Sequence, residues 1–457
     1  MEKKLSIGSS VLLLALMMAL IITSMTAFQA EPHIPLLICL VVVSIIGLFL
    51  NIKWDQLEKA MIKGVTDGTK AIIILSLVGI VIAVWMMSGT VPTILFYGLT
   101  FITPEWFAVS ALMICMIVSS FTGSSFTTIG SVGVAMMGIG LALGVNPAMA
   151  AGAIICGACF GDKMSPLSDT TNLASGVTGV DLFVHIRHLM WTTIPSFIIT
   201  LIIFFFIGRS YSTTTIEGIQ EMLTTLDASF SISFLTLLSP LIVVILAFIR
   251  FPTVPALVVG ILTGLLTVGL VQGNWLISEW FTVVQHGFIL ETGNDAINAI
   301  VDAGGLQSMM WSISLVIIAL LLGSLIQRIG LIDGLLEFFR SFLSNRGNLI
   351  GATAASSISV NALTGEQYLS ILLPSKAFEM HYERLNIAKK NLSRTLEDAG
   401  TLVNPLIPWG VSGAFFASTL GVAVMDYIPF AFFLFLSPIL TVLFGYLGIG
   451  VGKSTES

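Results

Sequence analysis

The sequence predicts an all-α polytopic membrane protein: two inverted repeats, each of five spanning helices plus a re-entrant hairpin, with broken helices at the centre. Three observations carry this reading. The chain is 56% hydrophobic and only 10% charged, where soluble domains carry about a quarter charged residues. Apolar runs recur from end to end, each near the ~20 residues that one spanning helix needs. The two halves then repeat the same order of apolar segments, breaks and motifs.

The first apolar run, about residues 7–28, is too long for a signal-peptide core and lacks a small-x-small cleavage site, so it reads as a retained helix. A second follows at 34–51, and the polar stretch 210–229 then separates the halves. The first repeat is placed at 1–209, an external linker at 210–229, and the second repeat at 230–450. Apolar helices at 230–249 and 252–273 open the second half as the first two open the first. An amphipathic connection and a third apolar helix follow in each, at 70–88 and 307–327.

The motifs keep the same order. Thr122-Gly123 matches Thr364-Gly365, Ser165-Pro-Leu matches Asn404-Pro-Leu, and each of those triplets stands four residues after a glycine, Gly161 or Gly400. Ile194-Pro195 and Ile428-Pro429 are expected to open the last apolar helix of each half. Recurrence in series is a repeat signal where single matches are not.

Loop charge orients the repeats. The connection 51–70 carries Lys53, Lys59, Lys63 and Lys70, whereas 274–305 carries Glu279, Glu291, Asp295 and Asp302 and no lysine or arginine. The positive-inside rule puts the first in the cytoplasm and the second outside. It also places Met1–Lys4, His185–His188, Arg250, Arg328–Arg346 and Lys376–Arg394 inside, so both termini are expected in the cytoplasm. Five crossings per half satisfy this only if 105–144 and 347–379 are hairpins that turn back at their Thr-Gly pairs. Interrupted segments at matching places in two halves point to a transport site.

The polar run Gly161-Asp-Lys-Met-Ser-Pro-Leu-Ser-Asp-Thr-Thr-Asn172 ends 56 charge-free residues, Trp106 to Gly161. Pro166 breaks a helix over about 147–175, and Asp162, Ser165, Asp169, Thr170 and Asn172 supply oxygens around the break. Freed carbonyls and carboxylates at a broken helix suit a small hard cation. The counterpart, Glu397 to Trp409 within about 386–420, supplies Asp398, Thr401 and Asn404, with Pro405 and Pro408 as breakers. Glu397 is read as a solvated helix face beside Arg394, and Lys163 and Lys376 are placed in the cytosol. The hairpin tips add Thr122, Gly123, Ser124, Ser125, Thr127 and Thr128, then Thr364, Gly365, Glu366 and Gln367. Hydroxyls there can cap helices as readily as bind substrate, but a carboxylate such as Glu366 at hairpin depth is costly unless paired, protonated or functional.

Other features carry less. Cys156-Gly-Ala-Cys159 has no second ligand pair and reads as small-residue helix packing. His185 and His188 are placed on a basic membrane-surface stretch, where they could sense pH.

These motifs, together with Thr-Gly-Glu-Gln-Tyr368 and Glu-Asp-Ala-Gly-Thr401, resemble the NhaC family of bacterial sodium/proton antiporters, which also includes malate/lactate exchangers. The resemblance spans nearly the whole chain. It implies a secondary transporter that exchanges cytoplasmic Na⁺ for external protons by alternating access, with an elevator-like mobile domain carrying hairpins and broken helices. A malate/lactate-type carboxylate antiporter is the alternative. Na⁺ and H⁺ are then cargo; no cofactor, resident metal, nucleic acid or enzymatic activity is expected, membrane lipid is the surrounding partner, and a homo-oligomer is compatible with the chain. An intramembrane aspartyl protease would want Gly-x-Gly-Asp where the chain has Cys159-Phe-Gly-Asp162. A channel would lack saturable, uphill flux.

Overall fold

The computed structural model describes residues 5–208, 216–249, 251–291, 298, 302 and 304–452. Met1–Lys4, Arg250 and Asp295, which entered the loop-charge argument, and linker residues 210–215 lie outside the described residues. The described elements are helical throughout. In the first half they run α1 (Ile7–Ala27), α2 (His33–Phe49), α3 (Trp54–Asp67), α4 (Thr69–Met87), α5 (Thr90–Phe101), α6 (Phe107–Thr122), α7 (Ser125–Thr128), α8 (Val134–Ala142), α9 (Pro147–Met164), α10 (Asp169–Thr178) and α11 (Leu182–Ile207). The second half holds α12 (Ile216–Ser229), α13 (Leu238–Phe248), α14 (Thr253–Val271), α15 (Ile277–His286), α16 (Met310–Arg328), α17 (Leu331–Arg340), α18 (Arg346–Thr364), α19 (Gln367–Arg384), α20 (Lys389–Leu396), α21 (Val411–Leu420), α22 (Val424–Tyr427) and α23 (Phe432–Leu447).

Among the described residues seven helices are long and apolar enough to cross a membrane, or up to nine if each of two sharply bent pairs is one span. Five of the ten expected crossings are among the seven: α1, α4, α11, α14 and α16 with its leading turn. Helices α2 and α23 are shorter apolar helices, and α13 is half of a pair bent by 85°. The arms Pro104–Thr122 and Ser125–Ala142 are each long enough to span by themselves. The chain breaks between them at Gly123, with φ of 67°, and the second arm's apolar window is 83% buried.

Peripheral helices turn large apolar side chains outward, as Leu12, Leu16, Ile38, Ile198, Ile202, Leu262 and Leu266 do. A contiguous apolar exterior of this kind requires lipid as solvent. The central helix is the opposite: from Met149 to Gly161, α9 is buried throughout. Its small residues permit this. A Cβ on Gly157 would stand 2.2 Å from the Leu112 carbonyl oxygen, and one on Gly161 would stand 2.5 Å from that of Met116. Here α6 and α9 touch backbone to backbone, the packing that small-xxx-small spacing allows. All four cysteines are free and buried.

Two sequence expectations change. Pro195 lies inside α11, and Ile428-Pro429 forms a single turn before α23, so neither opens the last helix. Helices α5 and α17 were not expected; each follows a left-handed glycine, Gly89 or Gly330, and is too short and too uneven in hydropathy to announce itself. The linker's described part, α12, is helical.

Candidate functional site

The first hairpin is made by its own turn chemistry. Gly123 closes α6 in a left-handed conformation, Ser124 caps α7 by accepting from the Thr127 amide at 3.2 Å, and the Ser131 hydroxyl donates back to the Thr127 carbonyl at 2.6 Å. The amide and hydroxyl of Ser125 therefore point to the broken helix, where both donate to Asp162 Oδ2, at 2.9 and 2.7 Å. Hairpin tip and broken helix thus meet at one half-buried carboxylate.

The break between α9 and α10 is held by its polar residues. Asn172 Nδ2 donates to the carbonyls of Pro166 and Ser168, at 2.9 and 2.7 Å, while Ser165 Oγ accepts from the Leu167 amide. Ser168 caps α10. A cavity of about 700 Å³ opens here, lined by Thr122, Gly123, Ser124, Thr127, Asp162, Ser168, Asp169, Thr170, Asn172, Glu366, Gln367 and Tyr368, with Lys70 and Asp67 at the mouth. Asp169, read from the sequence as an equal partner of Asp162, stands at that mouth instead. Its side chain is 65% exposed and pairs with Lys70 at 3.2 Å.

The second hairpin reaches the same cavity from the other half. Gly365 turns it, and Glu366 caps α19 by accepting from the Leu369 amide at 3.0 Å. The Thr364 hydroxyl donates to the Val360 carbonyl. Asn404 fastens this tip to its own broken helix, donating to Asn361 Oδ1 at 2.7 Å and to the Gly365 carbonyl at 2.9 Å while accepting from the Ser412 amide. Both polar atoms of the Asn404 side chain are engaged in that work.

Ser125, Thr128, Ser165, Thr364, Gly365, Asp398, Thr401 and Asn404 do not line the cavity. Thr128 and Thr122 bond each other at 3.2 Å. Asp398 lies deeper, with a partner the sequence reading had placed in the cytosol. Lys163 is fully buried and bonds Asp398 directly, and it also donates to Ser437 Oγ at 3.1 Å. Thr192, Ser437 and Thr441 complete the Asp398 carboxylate. Lys163 follows the one acid that ends a long uncharged segment, and a lysine at that depth needs an acid; that was the available signal.

Two more expectations are overturned here. Glu397 and Arg394 are wholly buried, not on a solvated face, because the helix that carries them is enclosed by α10, α18, α19 and α23. His185 and His188 are buried too, bonded to Ser393 Oγ at 2.8 Å and Asn391 Oδ1 at 3.1 Å, because α11 packs against α20 and not along a membrane surface.

Apolar helices surround a polar cavity that ends at a carboxylate, between a hairpin tip and a broken helix, and the relatives of this chain are membrane antiporters. The chain belongs to the Na⁺/H⁺ antiporter family, whose profile matches residues 157–449. It is 70% identical over 453 residues to the Na⁺/H⁺ antiporter NhaC of Alkalihalophilus pseudofirmus, covering 99% of this chain and 98% of that one. It is 47% identical over 449 residues to the Na⁺/H⁺ antiporter NhaC of Bacillus subtilis, with 98% and 99% covered. A third relative, the malate-2H⁺/Na⁺-lactate antiporter of Bacillus subtilis, is 33% identical over 441 residues, with 96% and 94% covered.

Proposed function

We propose that this chain is a Na⁺/H⁺ antiporter that exchanges cytoplasmic Na⁺ for external protons by alternating access, with Asp162 as the group both ions share. The observation that carries the reading is the half-buried Asp162 carboxylate, which faces the cavity and is held by the Ser125 amide and hydroxyl. Desolvation favours a proton on such a group and a cation displaces it, so the two exclude each other. Glu366 adds a further acid to the cavity wall, and Lys70, the lysine among the lining residues, is already paired with Asp169. Thr170 and Gln367 are further oxygen donors at its wall. The names of the two NhaC relatives agree with this cargo.

Inverted repeats over 1–209 and 230–450 supply the alternation. Supporting this, three left-handed glycines in each half recur with matching φ: Gly89 and Gly330 at 77°, Gly123 and Gly365 at 67° and 66°, Gly179 and Gly421 at 67° and 68°. Each pair ends or starts the corresponding helix. In the elevator reading, the hairpins and broken helices move together against the remaining helices in the bacterial inner membrane. Both termini then lie in the cytoplasm. In support, Ser10 near the N-terminus meets Gly334 of α17, and the Ala388 amide within the basic 376–394 segment donates to the Gly452 carbonyl. Single cysteines replacing Lys59 and Glu291, in a cysteine-free background, should react with an impermeant thiol reagent from opposite sides; labelling from one side contradicts the topology.

A carboxylate cargo is favoured by one feature, a cavity of about 700 Å³ that far exceeds a bare cation. Purified protein in liposomes with an imposed pH gradient separates the two. Added Na⁺ alone should dissipate the gradient. Dissipation only after malate or lactate is supplied would assign the carboxylate reading instead.

A further inference from the structure

Among the described residues, Glu397 carries the one carboxylate oxygen that is fully buried without a hydrogen-bond partner. It begins a π-helical turn, Glu397–Thr401, that widens the helix after α20 and points this side chain toward the first broken helix. Oε1 accepts from the Thr170 and Thr401 hydroxyls, both at 3.1 Å. Oε2 is buried without a hydrogen-bond partner, and the residue has no solvent-exposed surface. A buried carboxylate left half-satisfied is costly to keep ionised, and proton uptake removes much of that cost.

Among the described residues no charged group hydrogen-bonds it, and Arg394, one turn earlier, donates through Nη1 to the Gly450 carbonyl at 3.1 Å. From α9, Lys163 and Asp162 face it. Lys163 is held by Asp398 and Ser437 and makes no bond to Glu397. Asp398, next in sequence, has its oxygens taken by Lys163, Thr192, Ser437 and Thr441. Asp169 on α10 turns away to Lys70, and Tyr382 of α19 bonds Thr353.

One route leads from Glu397 to the cavity. The Thr170 hydroxyl lies 3.1 Å from that of Ser168, and Thr170, Ser168 and Asp162 all line the cavity. Resting on the Na⁺/H⁺ reading above, we propose that Glu397 is a second, occluded proton-binding carboxyl of the exchange cycle, connected to Asp162 through the hydroxyls of Thr170 and Ser168. When a cation takes Asp162, the Glu397 proton leaves by that route: it passes to Thr170 as Thr170 gives its own to Ser168, and Ser168 delivers one to the cavity. Each hydroxyl ends as it began, and Glu397 is left ionised. When the cation departs, the same steps in reverse reload it. Each cation then exchanges for two protons, one from each carboxyl.

The test is the ratio of protons to Na⁺ in proteoliposomes, read from the membrane potential at which net flux reverses under fixed pH and Na⁺ gradients. Wild type should reverse at a ratio of two. Glu397→Gln should still exchange Na⁺ for H⁺ and for Na⁺, at a ratio of one, and Glu397→Asp should return toward two. A Gln variant with the wild-type ratio overturns the proposal. So do Gln and Asp variants that both lose Na⁺/Na⁺ exchange, since Glu397 would then belong to the cation site or to the packing. A wild type that moves no protons on Na⁺ addition defeats the antiport reading itself, and the proposal with it.

Discussion

Asp162→Asn is expected to abolish Na⁺-driven proton flux while the protein remains folded in the membrane. The substitution keeps shape and an acceptor for the Ser125 hydroxyl, but removes the charge that binds the cation and the proton it competes with. Losing a charged ligand from a dehydrated site costs about 3 kcal/mol or more, roughly a hundredfold in affinity. Asp169→Asn is the contrast. That carboxylate is mostly exposed and paired with an exposed lysine, an arrangement worth only about 0–1 kcal/mol. Its variant should change apparent Na⁺ affinity by less than roughly fivefold. Initial rates of Na⁺-dependent pH-gradient collapse in liposomes measure both; equal losses would return Asp169 to the centre of the site, and near-normal transport by Asp162→Asn would remove Asp162 from it.

The Lys163–Asp398 pair should govern stability more than any other polar contact in the chain. Both side chains have zero exposure, and the pair joins α9 to the helix after α20 while Thr192 and Thr441 bring in α11 and α23. Removing one partner strands a buried charge, at about 3–5 kcal/mol. Lys163→Met and Asp398→Asn should each lower the unfolding temperature in detergent sharply. The double variant Lys163→Met/Asp398→Leu should regain most of the loss, because replacing both charges by apolar groups is often neutral. The freed hydroxyls of Thr192, Ser437 and Thr441 can turn to backbone carbonyls of their own helices. Size-exclusion profiles after a heating series report this directly. Single variants as stable as wild type would mean the pair is not structural, and a double variant no better than its parents would locate its worth in the hydroxyl network.

Much of the fold was legible because lipid imposes length and polarity on each element. The helix ends at Thr122-Gly123 and Thr364-Gly365 were visible, since a residue tolerant of positive φ suits such a stop, and both glycines adopt it. The breaks at Pro166 and Pro405 were visible for the complementary reason, a missing amide. Crossing number was less legible, because Pro104–Thr122 and Ser125–Ala142, read as the arms of one hairpin, are each long and apolar enough to span. At the site, the acids were identifiable as types and the pairings were not. Charge signals that a residue needs a partner without naming it. Lys163, Glu397, Arg394, His185 and His188 were all assigned to water because basic and acidic residues cluster around them in sequence, whereas tertiary packing encloses them. Asn404 shows the converse: an asparagine beside a proline looks like a ligand, and here it ties a hairpin tip in place.

The central claim is that Na⁺ and the proton compete for one carboxylate at the end of the cavity. Apparent Na⁺ affinity, measured as a function of pH from initial exchange rates with equal pH on both sides of the liposome, tests it most directly. Competition predicts that affinity weakens as pH falls, by up to about tenfold per pH unit for each proton displaced, and that Asp162→Asn has no measurable affinity at any pH. An Na⁺ affinity that stays constant across the range while only the maximal rate changes would contradict the account.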